Sequence, residues 1–185
     1  MDRRQFVKRA GVGTVGLSAL VASPAALAGR RGFPKGDGHQ HATFVGLSRV
    51  PSPSDHHLVM EGFVEFKAKN GQANGGGNFS HVRLPGPTPV ADGKWEVTDF
   101  VSYGPVIGDY GRIRSSILVV TVDLVPDAGG SFEATLRVVC NVGFVPLLTG
   151  EPEGIQVNVP AAGVNFSQPL MGLTHISIPE GESSA

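Results

Sequence analysis

Two long runs of strand-forming residues joined by a short polar loop constrain this chain more than any other feature. Ile117 to Val125 reads Ile-Leu-Val-Val-Thr-Val-Asp-Leu-Val. From Phe132 onward, Phe132, Ala134, Leu136, Val138, Cys140 and Val142 alternate with Glu133, Thr135, Arg137, Val139 and Asn141. β-branched side chains crowd the preceding turn of a helix but stand clear on a pleated strand, and a period of two sends one set of residues to a buried face. The loop between the runs carries Pro126-Asp127 and Gly129-Gly130, which supply turn geometry rather than helix caps. An antiparallel hairpin is the expected result.

The same chemistry extends along the chain. Strands are expected at Ala42 to Val50, Leu58 to Lys67, Asn78 to Leu84, Trp95 to Ser102, Ile113 to Val125, Phe132 to Asn141, Ile155 to Val159 and Gly172 to Ile178. The breaks are expected at Pro51-Ser52-Pro53-Ser54, Asn74-Gly75-Gly76-Gly77, Pro85-Gly86-Pro87, Ala91-Asp92-Gly93 and Pro126 to Gly130. No segment has a helical period. This pattern predicts an all-β fold, an antiparallel β-sandwich of about eight strands, with a small β-barrel as the alternative. In the second strand Met60, Gly62, Val64 and Phe66 should face the core. Glu61 and Glu65 should face solvent, about 13 Å apart and so too distant to act as a glycosidase pair. Trp95 alternates as a core residue. Asn78-Phe79-Ser80 and Asn165-Phe166-Ser167 read as turn asparagines at strand starts.

The N-terminus has a different character. Asp2-Arg3-Arg4-Gln5-Phe6-Val7-Lys8 precedes a glycine-rich, weakly apolar segment, and Ala26-Leu27-Ala28 fits an A-x-A cleavage site. These residues resemble a twin-arginine signal peptide, with Arg3 and Arg4 as the recognition pair and Ala26 and Ala28 as the cleavage residues. The resemblance implies that the twin-arginine translocase is a partner during export, and that the destination is periplasmic, cell-surface or extracellular. An uncleaved anchor is the alternative. Gly11-Val12-Gly13-Thr14-Val15-Gly16 matches the dinucleotide-binding pattern, but a basic head precedes it and a cleavage site follows it, where a strand and a helix are needed. The expected organisation is a signal peptide over 1–28, a flexible leader over 29–38 and a single all-β domain over 39–185.

Charge and cysteine content narrow the function classes. Beyond residue 28 there are 11 basic and 15 acidic residues, so that part carries about four negative charges. Nucleic acid is not an expected partner, because the scattered Lys and Arg offer no phosphate-binding surface. Cys140 is the only cysteine, which excludes an intramolecular disulfide and leaves stability to the core. Its place on the apolar side of an alternating strand marks it as a small core hydrophobe.

The histidines are the one constellation with chemical promise. His39 and His41 would lie on one face of an extended segment, and His81 or His175 could complete a copper or zinc site if the sheet brought them together. His56 and His57 point to opposite sides of any strand. No glutamate follows the H-x-H within a few residues, no histidine or methionine closely follows Cys140, and no nucleophile elbow or phosphate cradle occurs. The expected function is therefore a non-catalytic extracytoplasmic module that binds a ligand or surface partner without a cofactor. The alternatives are a metalloprotein built on His39 and His41, and a cofactor-free enzyme built on a barrel lumen, whose deep pocket would hold a carboxylate beside an arginine.

Overall fold

The computed structural model describes residues 38–52, 54–104, 106, 108–110, 113–141 and 150–178, with 108–110 as backbone only. Arg3, Arg4, Ala26, Ala28 and the expected leader up to residue 37 lie outside the described residues. The strands are β1 (Gln40–Arg49), β2 (His56–Lys67), β3 (Gln72–Arg83), β4 (Thr88–Tyr103), β5 (Gly108–Tyr110), β6 (Ile113–Pro126), β7 (Phe132–Cys140), β8 (Gly154–Val159), β9 (Val164–Phe166) and β10 (Gln168–Ser177). They form one antiparallel sheet in the order β10-β1-β2-β3-β4-β6-β7-β8-β9, with β5 paired to β6. β10 runs along β1 and also meets β6 at a single rung, Ser177 opposite Ile113.

The all-β architecture expected from the sequence is present, built from one sheet that folds over itself. β8 packs across β1 and β10, so inward-facing residues from both arms meet in one core. Met60, Val64 and Phe66 of β2 are buried there with Leu118, Val120 and Val122 of β6 and Leu136 and Val138 of β7. Glu61 and Glu65 alternate outward as expected, each partly exposed. The β6–β7 hairpin pairs Leu124 with Phe132 and Ser116 with Cys140. The Cys140 side chain is buried, and its thiol donates to the Thr174 carbonyl at 3.4 Å.

Two expected breaks are instead strand interior. Asn74 to Gly77 lies within β3 and Ala91 to Gly93 within β4. For Asn74 to Gly77 the cause is a row of residues on one face: Phe44 of β1, Gly62 of β2, Gly77 of β3 and Trp95 of β4 are successive cross-strand partners. The two glycines leave a floor without side chains, and the Trp95 indole lies across it to stack on Phe44, with ring centroids 5.6 Å apart. The indole Nε1 donates to the Glu61 carbonyl at 3.0 Å, which satisfies its one polar atom. A side chain at Gly77 would start only 2.7 Å from that Nε1. Glycine is needed here for close approach between ring and backbone, not for a turn.

The asparagines expected at strand starts also lie within strands. Asn78 is inside β3 and donates from Nδ2 to Glu61 Oε1 at 3.1 Å, and Asn165 is the middle residue of β9 opposite Asn158. The two short strands β5 and β9 have no counterpart among the expected eight, since a three-residue run carries too little periodicity to be read.

Candidate functional site

One end of the folded sheet opens into an apolar pocket of about 240 Å³. β2 begins and β3 ends there, as do the start of β7 and the ends of β6 and β8. Its inner wall is made by the buried side chains of Leu58, Phe79, Leu124, Val159 and Phe166. Val90, Phe132 and Ala162 stand at the exposed rim. Among the described residues of the lining, His81 is the only one with a polar side chain. The cross-strand register explains this composition, because Leu58 faces His81, His81 faces Ala91 and Leu124 faces Phe132 on the inward side of the sheet.

His81 belongs to a linked array. Its Nε2 lies 2.7 Å from Nδ1 of His56. Nε2 of His56 receives Arg83 Nε at 3.2 Å and Arg83 Nη2 at 3.1 Å. Asp55 Oδ1 lies 3.7 Å from Arg83 Nε and 3.9 Å from His56 Nε2, placing a carboxylate at the outer end. Register builds the array, since His56 pairs with Arg83 and the next inward pair is Leu58 with His81. The Phe166 and His81 rings meet at 5.1 Å and 85°, a T-shaped contact. Burial, and then the neighbouring His56 and Arg83, push the His81 pKa down to about 4, so the imidazole is neutral near pH 7. His57 turns away from this face and donates from Nδ1 to the Asp55 carbonyl at 2.8 Å.

Of the four histidines considered as metal ligands, His39, His41 and His175 lie near one another around β1 and β10. The His39 and His41 rings lie 5.0 Å apart at 54°, and His41 Nδ1 is 3.7 Å from Glu65 Oε1. His175 is exposed on β10, opposite Thr43. His81 does not join them. His41 is opposite Glu65 of β2 and His81 is opposite Leu58, which separates them by seven residues of strand, about 23 Å, and puts them on opposite faces. Among the described residues no group of three or more His, Cys, Asp or Glu is placed to hold a metal ion. The sheet thus corrects the expectation that His81 completes a ligand set with His39 and His41: a period-two side-chain rule and the β2–β3 register send it inward.

The array contains three residues that sequence reasoning did not select, His56, Arg83 and Asp55. Each has an ordinary local context. Only the pairing of β2 with β3 puts His56 beside His81 and Arg83, 25 and 27 positions later. Chemically, the pocket offers a carbon surface and one imidazole. Among the described residues that line it there is no carboxylate, thiol or hydroxyl side chain. Comparison with protein-family models, curated proteins and solved structures finds no match.

Proposed function

We propose that the protein is exported by the twin-arginine route and acts outside the cytoplasm as a non-catalytic binding module, taking a small apolar molecule into the pocket at the end of its sheet. The observation that carries this reading is the lining itself: a cavity of about 240 Å³ walled by aliphatic and aromatic side chains, with a single imidazole. Drug-sized ligands occupy sites of about 300–1,000 Å³, so the occupant is compact or projects past the rim. Apolar surface open to water at the pocket is an unfavourable state that a fitting hydrocarbon relieves by about 25 cal/mol for each Å² covered. Export is supported by the Arg3-Arg4 head and the Ala26-Leu27-Ala28 site.

The test is a titration of the full chain with N-phenyl-1-naphthylamine, a neutral dye that brightens in apolar surroundings. Saturable brightening at one dye per chain is expected. It should weaken at least about tenfold in Ala162→Trp, which plugs the rim from an exposed position and leaves the melting temperature nearly unchanged. A dye response without saturation, or one the plug leaves intact, would overturn the pocket as the binding site.

A further inference from the structure

We infer that the pocket selects an apolar molecule bearing one carbonyl oxygen, which accepts a hydrogen bond from Nδ1–H of His81. The tautomer of that ring is dictated by Arg83 through His56. The inference rests on the pocket being the binding site and adds the polar group of the ligand.

The hydrogen-bond inventory leads there in steps. A guanidinium only donates, so the two Arg83 nitrogens at 3.2 and 3.1 Å require a lone pair on His56 Nε2. Neutral His56 then carries its proton on Nδ1. That proton points at His81 Nε2, 2.7 Å away, which must in turn be the acceptor. Neutral His81 is left with its proton on Nδ1. No described residue accepts a side-chain hydrogen bond from that nitrogen, and the ring lies in the pocket lining. Phe166 packs against the ring in a T-shaped contact and fixes its plane.

The donor count selects the ligand. A ketone, aldehyde or ester carbonyl is satisfied by one N–H. A carboxylate has about four lone-pair sites, and burying it against one neutral donor leaves it badly solvated. A hydroxyl can accept from His81, but it also brings a proton that the carbon wall cannot take. His81 is poorly able to ionise in response to an anion, since burial, His56 and Arg83 all oppose its protonation. Asp55, beside Arg83, offsets the positive field at the outer end.

The experiment has two parts, both on the full chain at pH 7.5. The first is competition against bound N-phenyl-1-naphthylamine by octan-2-one, its shape analogue 2-methyloct-1-ene, and octanoate. Replacing the donor by His81→Phe should lower the ketone-to-alkene affinity ratio about fivefold to tenfold, the size of one buried hydrogen bond, and His81→Gln, which keeps an N–H, should retain much of it. Octanoate should be the weakest competitor. An unchanged ratio in His81→Phe, or octanoate displacing dye more strongly than the ketone, would overturn the carbonyl assignment while leaving the pocket standing. Failure of the wild-type chain to bind dye at all would instead overturn the pocket reading on which it rests. The second part is a long-range proton–nitrogen spectrum of the histidine rings, which needs no variant. His81 should show a protonated Nδ1 and a bare Nε2, with Nδ1 moving on addition of octan-2-one. A proton on Nε2 would overturn the tautomer chain.

Discussion

Trp95 stacks on Phe44 although two whole strands, β2 and β3, separate the strands that carry them. The contact exists because Gly62 and Gly77 leave the floor between them bare. A methyl at Gly77 would meet the Trp95 ring nitrogen at 2.7 Å and also strike the Glu61 carbonyl that this nitrogen bonds. Gly77→Ala should therefore cost about 2–4 kcal/mol, with loss of the indole hydrogen bond adding to overpacking. Gly86→Ala, at a turn with open space around it, should stay within about 0.5 kcal/mol. Urea unfolding of the two variants checks both, with Trp95 emission reporting whether the ring has moved.

The His81 array makes stability depend on pH in one direction. The folded-state pKa of about 4 lies below the ordinary 6.5, so the unfolded chain binds the proton more readily. The contribution is fully present above about pH 6.5 and is lost as the pH falls toward 4. With the ring only half buried, the loss should be on the order of 1–2 kcal/mol after allowance for solvent screening. Denaturant unfolding at pH 7 and pH 4.5 should show this fall, and His81→Phe should flatten that part of the profile. A fall of equal size in the variant would assign the effect to other groups.

Cys140 should behave as an inert core residue. Its thiol is buried, its pKa is pushed up chiefly by that burial, and it donates to the Thr174 carbonyl. Thiolate is the reactive species, so labelling by a disulfide reagent at pH 8 should run on the order of 100-fold slower than in urea. Labelling at the rate of a free thiol would place the side chain outside the core.

The proposed export should depend on the paired arginines. Changing Arg3 and Arg4 together to Lys keeps the charge and removes the guanidinium pair. Cell fractionation should then find the full chain retained inside, whereas the wild type should be found outside the cytoplasm with Gly29 as its first residue on mass analysis. Unimpaired export of the double variant would exclude this route.

The fold was legible from the sequence wherever alternation ran long. Met60, Val64 and Phe66 declared their face, and the hairpin from Ile117 through Cys140 has the expected pairing. Asn74 to Gly77 misled because glycine carries two meanings, a turn or a close approach, and only Trp95 on another strand decides between them. The site was harder to read for a related reason. His81 is visible in the sequence as a histidine, but its partners His56 and Arg83 depend on a β2–β3 register that leaves no local trace. Phe79 and Phe166, noticed as parts of two similar tripeptides, turn out to share one pocket wall.

β1 is held between β2 and β10, so the first described strand has the last described one as its neighbour. During synthesis, Gln40 to Arg49 can find β2 early but must wait for Gln168 to Ser177 before its second edge is covered. Until residue 177 has left the ribosome, that edge presents unpaired amides and carbonyls to any other strand nearby. The order of synthesis therefore leaves a template for mispairing open until β10 has been made, and that strand acts as the cover that ends it.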